Sequence, residues 1–279
     1  MKGSINEFTR FNVDWCCYYF GGGGVLLSYG HKLVRCKMNV NKNKIVLSLY
    51  DYTGEALTPW AEAGYTCYAF DIQHTGETVN RFAGGGSISY VHADLHDFET
   101  HKDIFNRFNG KRVVFGMAFP VCTDLAVSGA AHFKRKRERD PEFQIKASKH
   151  ASNCADLFED FGCPYFIENP VSVLATIWRK PDHSFHPYEY GGYIPKEKAE
   201  HPKWPDYIAP RDAYPKKTCI WTGGGFRMPY KERVEPEEGY SRQHLKLGGK
   251  SMKTKNIRSA TPRGFAKAVW ATHTSPLAM

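Results

Sequence analysis

Short apolar runs alternate with longer amphipathic stretches through the middle of the chain. The apolar runs are rich in β-branched and aromatic residues and predict buried strands, whereas the stretches between them have helical composition. The predicted strands are 45–49, 66–70, 88–91, 113–119 and 164–168, and the predicted helices are 56–63 and 142–161. Strands that alternate with helices in this way indicate an α/β fold of the doubly wound kind, in which the sheet is mostly parallel.

The two ends of the chain have a different texture. In residues 1–43, the glycines Gly21–Gly24 separate two apolar runs. This pattern allows either a hairpin with a glycine turn or a loosely attached leader. The pattern therefore predicts an N-terminal extension over 1–43 and one domain over 44–279. Towards the C-terminus, the composition predicts an extended loop over 183–215, a strand over 217–222 and a last helix over 261–272.

Composition and charge narrow the classes of partner. The 279 residues include 38 Lys and Arg against 29 Asp and Glu, a formal net charge of +9. Such a surface suits nucleic acid or a nucleotide, although a solvated basic surface without a special partner remains open. The eight cysteines form no CxxC pair and no zinc pattern, so no metal is predicted and a reducing cytosol is favoured. Without a predicted membrane span or signal peptide, we expect a cytoplasmic protein.

Residues whose side chains could take part in catalysis or binding follow the predicted strands. Asp71 follows the second strand, Asp94 lies just beyond the third, Cys122 follows the fourth, and Glu168 ends the fifth. Because parallel strands bring their carboxyl ends to one edge of the sheet, Cys122 and Glu168 are expected to meet there. A thiol that faces a cleft at a strand end is more easily deprotonated than a buried one, which suits covalent catalysis. A carboxylate such as Asp71 can accept hydrogen bonds from two ribose hydroxyls.

Three stretches resemble motifs of the DNA cytosine-5 methyltransferases, including compact phage-encoded members. Residues 48–65, with Tyr-Asp-Tyr-Thr-Gly, resemble the cofactor motif that opens with Asp-Leu-Phe-x-Gly-x-Gly. Residues 116–129 resemble the catalytic Gly-Phe-Pro-Cys loop, with Val121 inserted before the cysteine, and 166–170 resemble the Glu-Asn-Val motif, with Pro170 in place of Val. The resemblance implies a Rossmann-like, S-adenosylmethionine-dependent fold with a seven-stranded, mostly parallel sheet.

The resemblance also implies roles for individual residues. Cys122 would add to carbon 6 of cytosine, so that carbon 5 can accept the methyl group, while Glu168 holds the ring at N3 and the exocyclic amino group. Pro120 and Asn169 complete the implied catalytic set. The implied cofactor-binding residues are Tyr50, Tyr52, Gly54, Asp71, Ile72, Asp94 and Phe119. The implied substrate-binding residues are Ser128, Arg135, Arg137, Lys216 and Lys217.

The choice of substrate is less constrained than the chemistry. Sequence-specific members of the family carry a recognition domain before their Arg-x-Leu-Thr-Pro-Arg motif. Here only a much reduced insert, residues 223–257, stands between the strand 217–222 and the similar segment 258–263. DNA cytosine, in a host cytoplasm if the chain is phage-encoded, is the first choice. RNA, a free pyrimidine nucleotide and a non-catalytic nucleic-acid-binding relative of the fold remain alternatives. No obligate protein partner is indicated, and a zinc deaminase is disfavoured because its His-x-Glu and Cys-x-x-Cys motifs are missing.

A basic segment follows the catalytic motif. Residues 134–139 carry five positive charges in six positions. Two interpretations are open: a loop that closes over a substrate strand and neutralises its phosphates, or the start of a solvated helix.

Overall fold

The computed structural model describes residues 39–248 and 251–275, together with the backbone of three earlier strands. The chain divides into two units, Met1–Val40 and Asn41–Met279. The first unit contains an antiparallel sheet of β1 (Cys16–Phe20), β2 (Gly24–Tyr29) and β3 (Lys32–Lys37). Phe20 pairs with Gly24, which is the register of the predicted hairpin. The turn itself, residues 21–23, lies outside the described residues.

The second unit is built on one large sheet. Its strands are β4 (Lys44–Leu49), β5 (Thr66–Asp71), β6 (Glu77–Arg81), β7 (Ser87–His92), β8 (Arg112–Ala118), β9 (Tyr165–Pro170), β10 (His183–Phe185) and β11 (Thr218–Gly223). In the described part of the chain they form eight strands in the order β10-β11-β9-β8-β4-β5-β7-β6. The five central strands, from β7 to β9, are parallel to one another.

The predicted count of seven strands is therefore wrong, and the sheet is mixed, with a parallel centre and antiparallel edges. An eighth strand, β6, pairs antiparallel with β7 at one edge, and β11 runs antiparallel to both β9 and β10 at the other. The sequence pattern missed β6 because all five of its residues are exposed. An edge strand with no buried face lacks the apolar run by which strands are recognised.

Helices cover both faces of the sheet, as a doubly wound fold requires. They are α1 (Thr58–Glu62), α2 (Phe98–Phe108), α3 (Phe133–Arg139), α4 (Phe143–Asp160), α5 (Leu174–Ile177), α6 (Arg242–Lys246), α7 (Met252–Ser259) and α8 (Arg263–Thr274). Trp60 of α1 and Phe265 of α8 belong to the core on one face, and Phe108 of α2 and Phe158 of α4 belong to the core on the other. No helix in the described part is long and apolar enough to span a membrane.

Three further predictions are corrected by the structure. The predicted helix 56–63 is a 3-10 turn followed by the short α1, and β9 does not end at Glu168 but continues to Pro170, which pairs with Thr218. A proline is tolerated there because it stands at the end of the strand, where fewer ladder hydrogen bonds are lost. The segment 183–215 is not all loop, since it contains β10 and three 3-10 turns.

The strand order fixes where a site can form. The chain passes from β4 to β5 and β7 on one side, then returns to place β8 and β9 on the other side of β4. In open α/β sheets, such a reversal leaves a crevice beyond the carboxyl ends of the two strands that flank it. Here those strands are β4 and β8, and the amide of Phe119 joins their ends by donating to the Leu49 carbonyl over 3.0 Å.

Candidate active site

The loop after β4 is held by one buried carboxylate. Asp51, which is 4% exposed, accepts hydrogen bonds from Ser48 Oγ at 2.7 Å and from the Gly54 amide at 2.8 Å. It also accepts bonds from the amide and hydroxyl of Thr53, at 3.1 and 3.2 Å. Several donors converge on a single side chain, so the loop has one well-defined conformation. Sequence comparison with the family did not single out Asp51.

Gly54 occupies a position in this loop where a residue with a Cβ atom would not fit. Its φ is +67°, a left-handed conformation that side chains other than glycine's disfavour. A Cβ at this position would lie 2.5 Å from the hydroxyl oxygen of Tyr90, whose pKa burial raises to about 12. The backbone therefore passes unusually close to an aromatic ring. Tyr52, 42% exposed, stacks on His74 with ring centroids 5.5 Å apart at the surface of the loop.

Tyr50 lies on the inner side of the same loop. It adopts a φ of +57°, and its hydroxyl donates to the Leu95 carbonyl at 2.7 Å. Its ring lies near His96 and His150, which stack on each other with centroids 4.2 Å apart. Burial and the neighbouring His96 lower the pKa of His150 to about 4. The Tyr50 side chain thus packs against protein, and its backbone is the part that shapes the crevice.

Two acidic residues follow the neighbouring strands. Asp71 ends β5 as a buried carboxylate, and its Oδ1 accepts from the Gln73 amide at 2.8 Å. Burial raises the pKa of Asp71, and the nearby Asp51 raises it further. Ile72, 57% exposed, presents an apolar surface beside it. Asp94 is exposed beyond β7 and accepts from the His96 amide at 3.0 Å.

The loop after β8, residues 119–126, contains Cys122 and is called the cysteine loop. It is held in place by a residue of another strand. Asn169, fully buried at the end of β9, donates from Nδ2 to the Pro120 carbonyl at 3.1 Å. The Cys122 carbonyl accepts from the amides of Leu125 and Ala126, at 3.0 and 2.8 Å. These bonds turn the chain sharply around Cys122, which is half-buried. Asn169 therefore ties the loop to β9, and its place in the predicted catalytic set stays a prediction.

Cys122, Glu168 and Lys216 act on one another electrostatically. The pKa of Cys122 is raised, first by burial and then by the charge of Glu168, while Lys216 opposes the rise. Burial also raises the pKa of Glu168, and Lys216 again opposes it. The predicted nucleophile and carboxylate are thus close enough to couple, and one lysine favours the charged form of both.

Aromatic side chains surround Glu168. A narrow pocket contains Glu168 and Lys216, and its walls are Phe119, Phe166, Phe185, Thr218, Ser259, Ala260, Thr261, Pro262 and Phe265. Its volume is about 10 Å³, room for about one water molecule, so the walls must separate before a ring can enter. Phe185, Thr218 and Phe265 were not predicted site residues, because they come from segments far apart in the chain.

The remaining predicted substrate residues are exposed and do not line this pocket. Ser128 is exposed in a 3-10 turn, and Arg135 and Arg137 are exposed on α3, so the basic segment forms a helix. That helix is attached near the cysteine loop, where Lys136 pairs with Asp124. Lys217 is exposed, and its charge lowers the pKa of Cys219, a core thiol whose pKa burial raises. None of these four predicted residues has a described contact with Cys122 or Glu168.

The remaining described thiols are buried in the core, and the described residues contain no arrangement suited to a metal ion. Cys67, Cys154, Cys163 and Cys219 are buried and free, and burial raises the pKa of each. Of the thiols in the described residues, Cys122 is the one that is not fully buried. Within residues 39–248 and 251–275, no group of three or more His, Cys, Asp or Glu side chains is arranged to hold a metal ion.

Comparisons with known proteins give little further information. No protein-family model matches the chain, and no curated protein matches it. Among solved structures, the chain is similar to a candidate DNA modification methyltransferase encoded within a prophage of E. coli. The two are 13% identical with a TM-score of 0.36, and the match covers 64% of this chain and 46% of that chain. The chain thus spans less than half of this neighbour, and the likeness is too slight to support an argument about function.

Proposed function

We propose that this protein methylates carbon 5 of cytosine in DNA, with S-adenosylmethionine as methyl donor and Cys122 as nucleophile. The observation that carries the proposal is the geometry at the carboxyl edge of the sheet. The cysteine loop follows β8 and is hydrogen-bonded to the neighbouring parallel strand β9, which carries Glu168, and Glu168 and Lys216 line one pocket. A soft nucleophile, a carboxyl group with a raised pKa and a cation are the three groups that addition to a pyrimidine ring needs. The sequence resemblance independently assigns the first two to the same positions.

The raised pKa of Glu168 suits a proton donor, whereas burial raises the pKa of Cys122 and overturns the expectation of an easily deprotonated thiol. The thiol therefore loses its proton to water before it adds, and the charge of Lys216 favours this loss. The Cys122 thiolate forms a bond to carbon 6, and the electron pair of the 5,6 double bond moves into the ring towards N3. Glu168, which is protonated more readily than an ordinary carboxyl group, supplies the proton that N3 then holds. A neutral Glu168 also ceases to oppose the thiolate. Lys216 stabilises the anionic sulfur before it adds.

The reaction ends by reversing the addition. After carbon 5 has been methylated, its original proton leaves to water, the bond between sulfur and carbon 6 breaks, and the electron pair re-forms the double bond. The proton on N3 returns to Glu168, and Cys122 leaves as thiolate. Asn169 supports both stages because its bond to the Pro120 carbonyl keeps the cysteine loop in place.

The residues after β4, β5 and β7 fit the proposed cofactor. Gly54 lets the backbone approach closely, and Asp71 and Asp94 offer carboxylates suited to the ribose hydroxyls and the adenine amino group. The exposed Ile72 side chain offers an apolar surface for the adenine ring. Bound at this position, S-adenosylmethionine would supply an electrophilic methyl group to the crevice between β4 and β8.

Covalent trapping tests the proposal. The protein is incubated with S-adenosylmethionine and a 5-fluorocytosine oligonucleotide, either single-stranded or duplex, because fluorine at carbon 5 blocks the final elimination. We expect a denaturant-stable adduct that Cys122→Ala abolishes and that Cys219→Ala, a change at a buried thiol, preserves. Failure of the adduct with both strand forms would refute methylation of DNA. The same assay with 5-fluoro-dCMP then tests the free nucleotide as substrate.

A further inference from the structure

A second pocket shares Lys216 with the narrow pocket, and its other lining residues have no role in the proposed chemistry. It has a volume of about 230 Å³ and is lined by Pro215, Lys216, Ser241, Gln243, His244 and Arg258. Lys216 lines this pocket and also the narrow one that contains Glu168. The two are therefore neighbours in one cleft. We name it the insert pocket, because three of its residues belong to the segment 223–257.

The insert pocket is lined by cations and by no acid. Among the described residues, Lys216, His244 and Arg258 form no ion pair. Arg242, in the same segment, is instead neutralised by Glu237 through bonds of 2.6 and 3.0 Å. Because Lys216 is already coupled to Glu168, the charge that is left without an acidic partner in the described part of the chain is that of Arg258, and it favours an anionic ligand.

Backbone contacts fix the two permanent cations without neutralising them. Lys216 Nζ donates to the Arg258 carbonyl at 2.8 Å, and Arg258 Nη2 donates to the Leu247 carbonyl at 2.9 Å. An arginine with one nitrogen held in this way keeps further donors for a ligand. Ser241 and Gln243 add neutral hydrogen-bonding groups. Arginine, lysine, serine and glutamine side chains are common partners of nucleic-acid phosphates.

We propose that the insert pocket binds the phosphate group attached to the target pyrimidine nucleotide. This inference rests on the proposed function, which places the pyrimidine ring against Glu168. In a nucleotide, the phosphate and the base lie on opposite sides of one sugar. A base at Glu168 therefore directs a phosphate across Lys216 into the insert pocket. Lys216 then serves both ends of the nucleotide.

The phosphate could belong to a DNA strand or to a free nucleotide, and a neighbouring aromatic pair distinguishes the two. Tyr240 is 71% exposed and stacks on His244, with ring centroids 4.7 Å apart and planes 26° apart. An exposed ring at the rim of a basic pocket can stack on the next base of a single strand. A phosphodiester in a DNA strand would use both Arg258 and Tyr240, whereas the phosphate of a free nucleotide would use Arg258 alone.

The salt dependence of binding is the main test. Binding of a fluorescein-labelled, single-stranded deoxycytidine oligonucleotide is measured by anisotropy at several salt concentrations, for the wild type, Arg258→Gln and Lys253→Gln. Lys253 is the matched control because it lies on the same helix but faces the ring of Tyr207 at 5.8 Å. Loss of one phosphate contact should reduce the slope of log K against log[salt] by about 0.7 in Arg258→Gln. Equal slopes in the two variants would overturn the proposal.

Two further variants protect the test against a folding artefact. Arg258→Lys retains the charge and should recover most of the salt slope. His244→Ala removes an exposed hydrogen-bonding side chain from the lining of the pocket and should also weaken binding. If Arg258→Lys and His244→Ala both behave like Lys253→Gln while Arg258→Gln loses binding, Arg258 has only a structural role and the proposal fails.

Competition identifies the source of the phosphate. Deoxycytidine and dCMP are compared as protectants of Cys122 against iodoacetamide, and the proposal requires dCMP to protect at about tenfold lower concentration through Arg258. Tyr240→Ala should weaken oligonucleotide binding about tenfold if a strand is the ligand. An unchanged affinity in Tyr240→Ala, with protection by dCMP retained, assigns the phosphate to a free nucleotide. Equal protection by deoxycytidine and dCMP would contradict the proposal.

This test and the trapping test fail independently. Salt-dependent binding through Arg258 without any adduct at Cys122 would refute the proposed reaction and leave the phosphate site intact. An adduct at Cys122, together with equal salt slopes in Arg258→Gln and Lys253→Gln, would refute the phosphate site and leave the reaction intact.

Discussion

The loop after β4 and the loop after β8 meet at one crevice but are held in different ways. The first is fixed by its own residues, since Asp51 accepts from Ser48, Thr53 and Gly54 within six residues of chain. The second depends on a distant segment, because Asn169 donates to the Pro120 carbonyl. A β-bridge between Ala126 and Ser172 extends this outside support.

The β4 loop is therefore rigid by itself, whereas the position of Cys122 depends on contacts with β9. The β4 loop stores strain at Tyr50, a non-glycine residue at positive φ, and the local network around Asp51 maintains it. The cysteine loop makes its chemistry available only when β8 and β9 are correctly paired. Changes in the first loop should therefore appear mainly as lost stability, and changes in the second mainly as lost reactivity.

The largest effect is expected from Asp51→Ala. The substitution leaves the buried Gly54 amide and Ser48 hydroxyl without their acceptor, so the free energy of unfolding should fall by about 3–5 kcal/mol. Asp51→Asn keeps one acceptor oxygen and should cost about half as much. Urea denaturation of both variants measures the loss. A cost below about 1 kcal/mol for Asp51→Ala would show that the loop does not depend on this network.

Gly54→Ala tests how much the close contact between the loop backbone and the ring of Tyr90 matters for stability. Gly76 is the matched control, because its φ is +72° but a Cβ there would meet nothing within 4 Å. Gly76→Ala should cost about 1 kcal/mol, from backbone strain alone, and Gly54→Ala about 2–4 kcal/mol, from strain and steric overlap. Thermal unfolding compares the two, and calorimetry with S-adenosylmethionine should show weaker binding in Gly54→Ala alone. Equal costs would mean that Tyr90 moves aside freely.

Asn169→Ala should lower the reactivity of Cys122 more than it lowers the stability of the protein. It removes the bond to Pro120 and a buried side chain, which should cost about 1–2 kcal/mol of stability. The rate at which Cys122 forms its adduct should fall at least tenfold, since the loop loses its outside support. Denaturation and trapping are measured on the same preparation. A stability loss with an unchanged trapping rate would show that Asn169 is structural and does not position Cys122.

The smallest effect concerns the pH dependence of Cys122. Because its pKa is raised, the rate of alkylation by iodoacetamide should still be increasing with pH above the ordinary cysteine value of about 8.5. Glu168→Gln removes a negative charge and should lower the apparent pKa of Cys122, whereas Lys216→Gln should raise it. Lys217→Gln removes the same charge beside Cys219 and should leave the profile near that of the wild type. Shifts of the same sign in both site variants would contradict the coupling.

Much of the fold was accessible from the sequence pattern. The apolar runs predicted the five central parallel strands and the long helix α4 within one or two residues, because each buries apolar side chains that the sequence records directly. The strand ends then located Asp71, Cys122 and Glu168. The elements that escaped were the ones without such a pattern, namely the exposed β6 and the short helices and turns of the C-terminal half.

The sequence by itself determined which chemical groups are present and that two of them, Cys122 and Glu168, lie near the carboxyl ends of parallel strands. Only the tertiary structure decided their surroundings. Lys216 comes to both of them from beyond their strands, Asn169 fastens the cysteine loop, and Arg258 completes a cationic pocket with residues of a separate helix. The physical reason is that burial and charge act through space. A pKa depends on what lies within a few ångströms, and the spacing of residues along the chain does not record that distance.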